Sequence, residues 1–251
     1  MEVHHHSHNA SHKQKWTHYI WEFLMLFLAV FCGFLAENQR EHMVEHTREK
    51  QYMQSMLVDL AADTARFNSG VSLREARITA IDTVFMFFNA YPSAKTISGK
   101  LFKKLRRTTY DQNLIRNTIT INQLKNAGGM RLIRNKMVTD SIAAYDFQFE
   151  YFVALHGQYY IVHQQADFRY LEKLVNSSDL LSLYLANSSS GIVGNIPDTM
   201  NIRINTDGLN ELLNLLMQVK VYARQQINQI DQLKTKATNL MMLIHQEYHL
   251  K

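Results

Sequence analysis

One apolar run near the amino terminus constrains this chain more than any other feature. The run covers residues 19–36, and its single charged side chain, Glu22, lies near its start. As an α-helix these residues would rise about 27 Å, close to the ~30 Å hydrocarbon core of a bilayer. Trp16, Tyr19 and Trp21 lie at the entry, where amphipathic rings favour the membrane interface. The run predicts one transmembrane helix, with a buried core helix and a secretory signal peptide as alternatives.

The residues that follow the run argue against a signal peptide. Residues 37–40 read Glu-Asn-Gln-Arg, without the small residues of a cleavage site. The Lys and Arg residues that flank the run do not decide its orientation by the positive-inside rule. A short tail before a first span commonly stays inside, so we expect the long carboxy-terminal part to cross the membrane.

Composition limits what the rest of the chain can be. Two prolines and nine glycines among 251 residues are too few for a turn-rich β architecture or a disordered chain. The single cysteine, Cys32, excludes an intrachain disulfide and a cysteine-based zinc site. The formal charge of +5 is spread too thinly to indicate a nucleic-acid partner.

Apolar residues at helical spacing predict an all-α fold beyond the span. No helix breaker lies between Ala36 and Gly70, so residues 37–68 are expected to form a stalk helix. Ser72-Leu-Arg-Glu75 matches a capping box, which predicts a turn at Gly70 and a new helix that stops before Pro92. A hairpin at this turn would bring the following segment back towards the membrane.

Two helices of about 40 residues are expected in the second half of the chain. They cover residues 135–176 and 209–249, and a long loop at 177–206, with a short hairpin pairing 192–193 and 202–204, separates them. A shorter helix is expected at 111–126, ended by Gly128. The prediction is an antiparallel bundle of about five helices, since long helices joined by one loop pack in this way.

The chain is thereby divided into three parts. Residues 1–18 form a His-rich polar tail, residues 19–36 the transmembrane helix, and residues 37–251 a helical-bundle domain that includes the stalk and the loop.

Histidines are the candidate metal ligands, and the pattern favours none of them strongly over solvated side chains. The tail histidines are dense, but nothing holds them in one geometry. The stalk sequence His42-Met-Val-Glu-His46 fits the His-x-x-Glu-His pattern of one zinc peptidase class, in which the intervening Glu acts as a base. The stalk is rich in Glu and His, so we expect no cofactor. The candidates are His4, His5, His6, His8, His42 and His46.

Two further groups of side chains are candidates for contacts. A cationic segment surrounds Leu101, Phe102 and Leu105, and it is either a solvated face or a contact with anionic headgroups. Its members are Lys100, Lys103, Lys104, Arg106 and Arg107. His156 and His163 lie seven residues apart on a seam with 3.5-residue spacing, typical of a coiled coil. There they would be satisfied core histidines or a pH-sensitive contact near pH 6.

Two stretches carry a resemblance to a known family. The first is the span leading into Glu37-Asn-Gln-Arg-Glu41 and Leu57-Val-Asp-Leu-Ala-Ala-Asp63. The second is Asn117-Thr-Ile-Thr-Ile-Asn-Gln-Leu-Lys125 followed by Gly128-Gly-Met-Arg-Leu-Ile-Arg-Asn135. Over about residues 16–175 the chain resembles a family of uncharacterised single-pass membrane proteins from Gram-negative bacteria, a domain of unknown function. The resemblance implies a single-pass membrane protein of Gram-negative bacteria, and it carries over no catalytic residues. With the orientation expected above, the chain is expected in the bacterial inner membrane with a periplasmic carboxy-terminal domain.

These observations favour a function without catalysis. We expect a membrane-anchored helical scaffold or sensor that binds lipid through residues 19–36 and acts through a protein partner or self-association. One alternative is a signalling receptor with a ligand pocket lined by Tyr159, His156 and His163. The other is a metal-dependent hydrolase that uses His42, Glu45 and His46.

Overall fold

The fold is taken from a computed structural model, which describes residues 12–109, 111–175, 198–203 and 205–250. Side chains are described from Trp16 onwards, apart from those of 158, 160–168, 171 and 172. The tail histidines His4, His5, His6 and His8, most of the predicted loop, the strand expected at 192–193 and the side chain of His163 lie outside the described residues.

The described chain is mostly helical, which confirms the all-α class. The helices are α1 His12–Ala90, α2 Gly99–Thr108, α3 Ile119–Asn126, α4 Lys136–Leu174 and α5 Thr206–Tyr248, with a 3₁₀ turn at Gly129–Leu132. Two short strands, β1 Thr96–Ser98 and β2 Thr199–Asn201, complete the elements. Helices α4 and α5 match the two long helices expected from the sequence.

Capping side chains explain where the long helices begin. The Asn135 side chain accepts hydrogen bonds from the backbone N–H of Met137 and Val138, and Asn205 accepts from Gly208. Such caps satisfy N–H groups that have no partner within the helix. Gly128 has a φ of 69°, the left-handed conformation expected after a helix end.

Helix α1 runs unbroken for 79 residues, so the turn predicted at Gly70 and the helix start predicted at Ser72–Glu75 are wrong. Gly70 lies inside the helix because of packing. A Cβ at this position would lie 3.0 Å from Cδ1 of Leu114. The missing side chain at Gly70 therefore allows the close approach of Leu114, and the helix continues through this position.

Short antiparallel pairings join the residues before α5 to β1 and to the end of α4. Strand β2 lies antiparallel to β1, with Ile97 opposite Met200. Val175 and Ile202 form a further isolated bridge. This ribbon ties the start of α2 to the residues before α5, an arrangement that the sequence pattern did not predict.

The structure divides into two compact units, residues 1–51 and 52–251. In the first unit, α1 carries the stretch that is long and apolar enough to cross a membrane, with a mean hydropathy of 2.1 and none of it buried. Among the described helices it is the one that meets this test.

The second unit, here called the body, has two main apolar clusters. The first contains Val138, Ile142, Phe149, Ile230, Leu233, Leu240, Ile244 and their neighbours, together with Met53, Leu60 and Phe67 of α1. The second contains Ile81, Val84, Phe88, Phe102, Leu105, Leu174, Leu209, Leu212 and Leu216. Together they bury the apolar stripes of the long helices and of α2.

Two glycines inside helices should respond in opposite ways to substitution. A Cβ added at Gly157 of α4 would meet no described atom within 4 Å, so Gly157→Ala should raise the free energy of unfolding by about 0.5–1 kcal/mol through helix propensity. Gly70→Val should lower it by about 1–3 kcal/mol, because the added methyl groups meet Leu114. Denaturant unfolding of the detergent-solubilised chain measures both. Equal effects of the two substitutions would contradict the close approach of Leu114.

Candidate functional site

The most distinctive site of the body is a connection that crosses α1 without regular secondary structure. Residues 111–118, here called the strap, were expected to begin a helix, but the helix α3 starts only at Ile119. Charged side chains of α1 bind the strap and the end of α2 before it. These contacts replace the hydrogen bonds that a helix would have supplied to the strap backbone.

Two arginines of α1 hold the first half of the strap. Arg74 donates from Nη2 to the carbonyl oxygen of Gln112 at 3.1 Å and from Nε to Oε1 of Gln226 at 2.9 Å. Arg77 donates from Nε to the carbonyl oxygen of Thr108 at 2.6 Å. Both guanidinium groups are buried, and they lie 3.2 Å and 3.3 Å from the two carboxylate oxygens of Asp111. One carboxylate thus pairs with two buried cations.

Two aspartates of α1 hold the second half. Asp63 accepts from the backbone N–H of Asn117 at 2.6 Å and from the hydroxyl of Tyr145 at 2.7 Å. Asp59 accepts from the Asn117 side-chain amide at 2.6 Å and from the backbone N–H of Thr120 at 3.2 Å. The second aspartate therefore also binds the first turn of α3.

Burial shifts the ionisation of this half of the site. Burial raises the pKa of Asp63 above its ordinary value, although the hydrogen bond from Asn117 acts in the other direction. Burial, together with the adjacent carboxylate, also raises the pKa of Tyr145, so its hydroxyl is a permanent donor. The tyrosine is therefore held in one role, as the donor that joins α4 to α1.

Arg116 extends the contacts of the strap to the surface of α4. Its Nη2 donates to Asp146 at 2.5 Å and to Glu150 at 2.8 Å. Its guanidinium carbon lies 4.5 Å from the centre of the Phe149 ring, in cation–π geometry. Its Nε and Nη1 are buried and make no hydrogen bond to the described part of the chain.

A cleft of about 470 Å³ lies between α1 and the strap. Arg66, Ser69 and Gly70 line one wall, and Gln112 and Asn113 line the other. The cleft is open to solvent and has both polar and apolar lining residues. Because the strap forms one of its walls, a movement of the strap would change the width of the cleft.

His156 lies at a second polar centre, between α4 and α5. Its ring is buried, its Nδ1 pairs with the hydroxyl of Tyr222, and its Nε2 lies 2.6 Å from Oε1 of Gln229. The amide oxygen can only accept, so Nε2 carries the proton and Nδ1 accepts from the tyrosine in the neutral ring. Burial lowers the pKa of His156 below its ordinary value of 6.5. Burial also raises the pKa of Tyr222, which keeps that hydroxyl protonated.

A cavity lies near Tyr159, one of the residues expected to line a ligand pocket. A cavity of about 340 Å³ is lined by Tyr159, Tyr222, Met217 and Val221, with the two tyrosine rings stacked 3.2 Å apart between centroids. His156 is not among its lining residues, and its ring nitrogens contact Tyr222 and Gln229.

The stalk histidines pair with carboxylates on the same helix. His42 lies 3.8 Å from Glu45, and His46 lies 3.3 Å from Glu49, each three residues further along α1. Among the described residues no group of three or more metal-ligating side chains gathers. The two histidines of the His-x-x-Glu-His pattern therefore lie against different carboxylates, Glu45 and Glu49.

The cationic segment folds as α2 with its apolar residues turned inward. Leu101, Phe102 and Leu105 are buried in the second apolar cluster. Lys100, Lys103, Lys104 and Arg107 are exposed, and Arg106 is half-buried. The helix thus buries its apolar face in the core and leaves four of these five cations exposed. The hairpin on which the membrane contact depended does not form.

The sequence contained a signal for the strap site that its motifs did not reveal. Asp63, Arg74 and Arg77 lie on the apolar stripe of α1, at helical spacing with Leu60, Phe67 and Ile81. A charged residue at an inward position requires a buried partner, because an unpaired buried charge is very costly. That rule marks these residues as candidates, but it does not name the strap as their partner.

Comparison with known proteins leaves the function to be argued from these contacts. No protein-family model, no curated protein sequence and no solved structure matches the chain.

Removing the Asp63 carboxylate should weaken the body. Asp63→Ala leaves the Tyr145 hydroxyl and the Asn117 N–H buried without their acceptor, at about 1–3 kcal/mol for each group. We therefore expect the free energy of unfolding to fall by about 2–6 kcal/mol in denaturant titration. The control is Asp140→Ala, at an exposed position of α4, with an expected change within about 0.5 kcal/mol. A similar loss in the two variants would contradict the strap contact.

His156 should make stability depend on pH. Because its pKa is lower in the folded than in the unfolded chain, its neutral ring stabilises the fold fully above pH 6.5. This contribution is lost as the pH falls below 6.5, since the unfolded chain then binds the extra proton. Denaturant unfolding between pH 7.5 and 5.5 should show falling stability, and His156→Gln should flatten that slope. An unchanged slope in the variant would assign the pH dependence to other groups.

Proposed function

We propose that this protein is a membrane-anchored helical interaction module without catalysis of its own. Residues 19–36 would span the bilayer, and α1 would carry the anchor directly into the folded body. The observation that carries this proposal is the unbroken course of α1 from His12 to Ala90, which includes both the apolar stretch and the strap contacts.

The exposed surface of the apolar stretch supports a lipid environment. Phe23, Leu26, Phe27, Val30 and Phe34 are each more than half exposed. So large a continuous apolar surface is unfavourable in water and is covered in lipid. Neighbouring Phe27 and Phe31 rings stack on one another along the helix, which leaves their outer faces for acyl chains.

The strap contacts support a role for α1 as more than a tether. Asp59, Asp63, Arg74 and Arg77 bind backbone groups over about 18 residues of the helix. An axial shift or rotation of α1 must either move the strap with it or break these bonds. Movement of residues 59–77 of α1 would thus change the strap cleft, and binding in the cleft would act on the same part of α1.

The apolar clusters support the antiparallel bundle expected from the sequence. One cluster joins the first half of α4, at Val138 and Ile142, to the end of α5, at Ile244. The other joins the end of α4, at Leu174, to the start of α5, at Leu209. We propose a bacterial inner membrane on the family resemblance, with the body on the periplasmic side.

The anchor is tested by placing charge in it. Leu26→Arg combined with Val30→Arg should cost about 6 kcal/mol of insertion free energy, because each arginine costs about 2.5–3.5 kcal/mol at the centre of a membrane helix. After a carbonate wash, the parent chain should remain in the membrane pellet. The double variant should appear in the supernatant. The control is Val221→Arg with Met242→Arg, at exposed positions of α5. A parent chain found in the supernatant would overturn the proposal.

The interaction role is tested in the membrane with an affinity tag placed after Lys251. Crosslinking and pulldown should recover a defined adduct, of the chain with itself or with a partner protein. Glu45→Pro breaks α1 between the apolar stretch and the body, and it should change the adduct pattern while the chain stays membrane-bound. If the parent chain gave no adduct, the interaction role would be contradicted. An identical adduct pattern in the parent chain and the Glu45→Pro variant would contradict coupling through α1.

A further inference from the structure

Helix α4 has a second apolar face, which points away from the core. Ala144, Phe147, Tyr151 and Ala154 recur at alternating spacings of three and four residues. All four are exposed, with Phe147 69 % and Tyr151 48 % exposed, and the two rings stack on one another. This set is called the outer seam.

The outer seam lies opposite the face by which α4 packs in the body. The buried residues Ile142 and Phe149 lie seven residues apart, as Ala144 and Tyr151 of the seam do, and each precedes its seam counterpart by two positions. The buried His156 continues the first series. At 100° per residue this displacement places the two sets on widely separated sides of the helix. A helix that is apolar on two sides packs against two layers.

The spacing of the outer seam is that of a helix-to-helix contact between supercoiled helices. Alternating intervals of three and four residues keep a seam facing one partner helix, and here alanine and aromatic side chains share it. A groove for an extended peptide or a lipid chain needs no such repeat. The repeat therefore favours another helix as the occupant.

Charge at the edges of the seam is compatible with a second copy of the same helix. In a parallel pair Glu150 would lie across from Leu155 of the other copy, so like charges do not meet along the seam. Asp140 continues the repeat one step before Ala144, and there the two copies would place like charges together. The contact would end at this residue.

The area available is close to what a weak dimer needs. Phe147, Tyr151 and Leu155, with the three alanines at 143, 144 and 154, would bury roughly 800–1,000 Å² over both copies. That is near the lower limit for a specific interface. Anchoring in one membrane would raise the effective concentration of the two copies, which a small interface requires.

We propose that the outer seam of α4 is the contact by which two copies of this chain associate in parallel in the membrane. The proposal rests on the proposed function, since it is the shared bilayer that concentrates the two copies. The partner is a second copy because the seam is free of like-charge clashes between 144 and 154 and its area is matched to a tethered dimer.

The experiment is disulfide crosslinking of the full chain in membranes. Cys32→Ala removes the native thiol, and Ala144→Cys then places a new thiol on the seam. Oxidation with copper phenanthroline should convert this variant to a disulfide-linked dimer. Thr238→Cys, at an exposed position of α5, is the matched control and should give about tenfold less dimer.

A second variant tests whether the aromatic residues form the contact. Adding Phe147→Asp and Tyr151→Asp to the Ala144→Cys chain should lower the dimer yield about tenfold. The melting temperature should stay near that of the parent, because both side chains are exposed in the body. Unchanged dimer yield in this variant would overturn the proposal.

The remaining outcomes separate the seam from the anchor. Equal crosslinking at the two cysteines, an adduct with a different protein, or an intramolecular adduct with residues 176–197 would each overturn assignment to a second copy. A membrane-bound chain that gives no dimer overturns the seam alone. If the chain is instead found in the supernatant, the proposed anchoring fails, and sedimentation equilibrium of the soluble chain then decides the seam: a dimer abolished by the aspartates supports it, and a monomer overturns it.

Discussion

The body of this protein depends on the pairing of charged side chains that α1 buries under the strap. Asp63, Arg74 and Arg77 occupy inward positions of a long helix, where each would be very unfavourable without a partner. The strap supplies those partners through its backbone and through Asp111. Because hydrogen bonds are directional, these contacts determine the rotation of α1 in the body more sharply than apolar packing does.

The same contacts give a physical meaning to the length of α1. Helix α1 carries both the apolar stretch and the residues that hold the strap, and no proline interrupts residues 12–90. Helix α4 differs from α1 in that its two sides have different surroundings. One of its sides is committed to the core through Tyr145 and His156, and the other leaves Phe147 and Tyr151 in solvent. In our proposals the first helix connects the body to lipid, and the fourth connects it to another copy.

Sequence reasoning succeeded where structure is set by neighbouring residues. The periodicity of apolar side chains located α4 and α5 to within about three residues at each end. Pro92 and Gly128 marked helix ends correctly, because each acts on the backbone next to it. The reasoning failed at Gly70 and at residues 111–118. In both places a local signal, a glycine or a helical pattern, was overridden by contacts with residues more than 35 positions away.

By itself the sequence determined the all-α class, the two long helices, the apolar stretch near the amino terminus and the burial of one face of α4, because these follow from composition and from spacing along one helix. Only the tertiary structure decided that α1 continues to Ala90, that the strap lies across it, and that His156 is held by Tyr222 and Gln229. Each of these depends on which distant backbone or side-chain group meets a buried polar atom, and spacing along the chain carries no information about that choice.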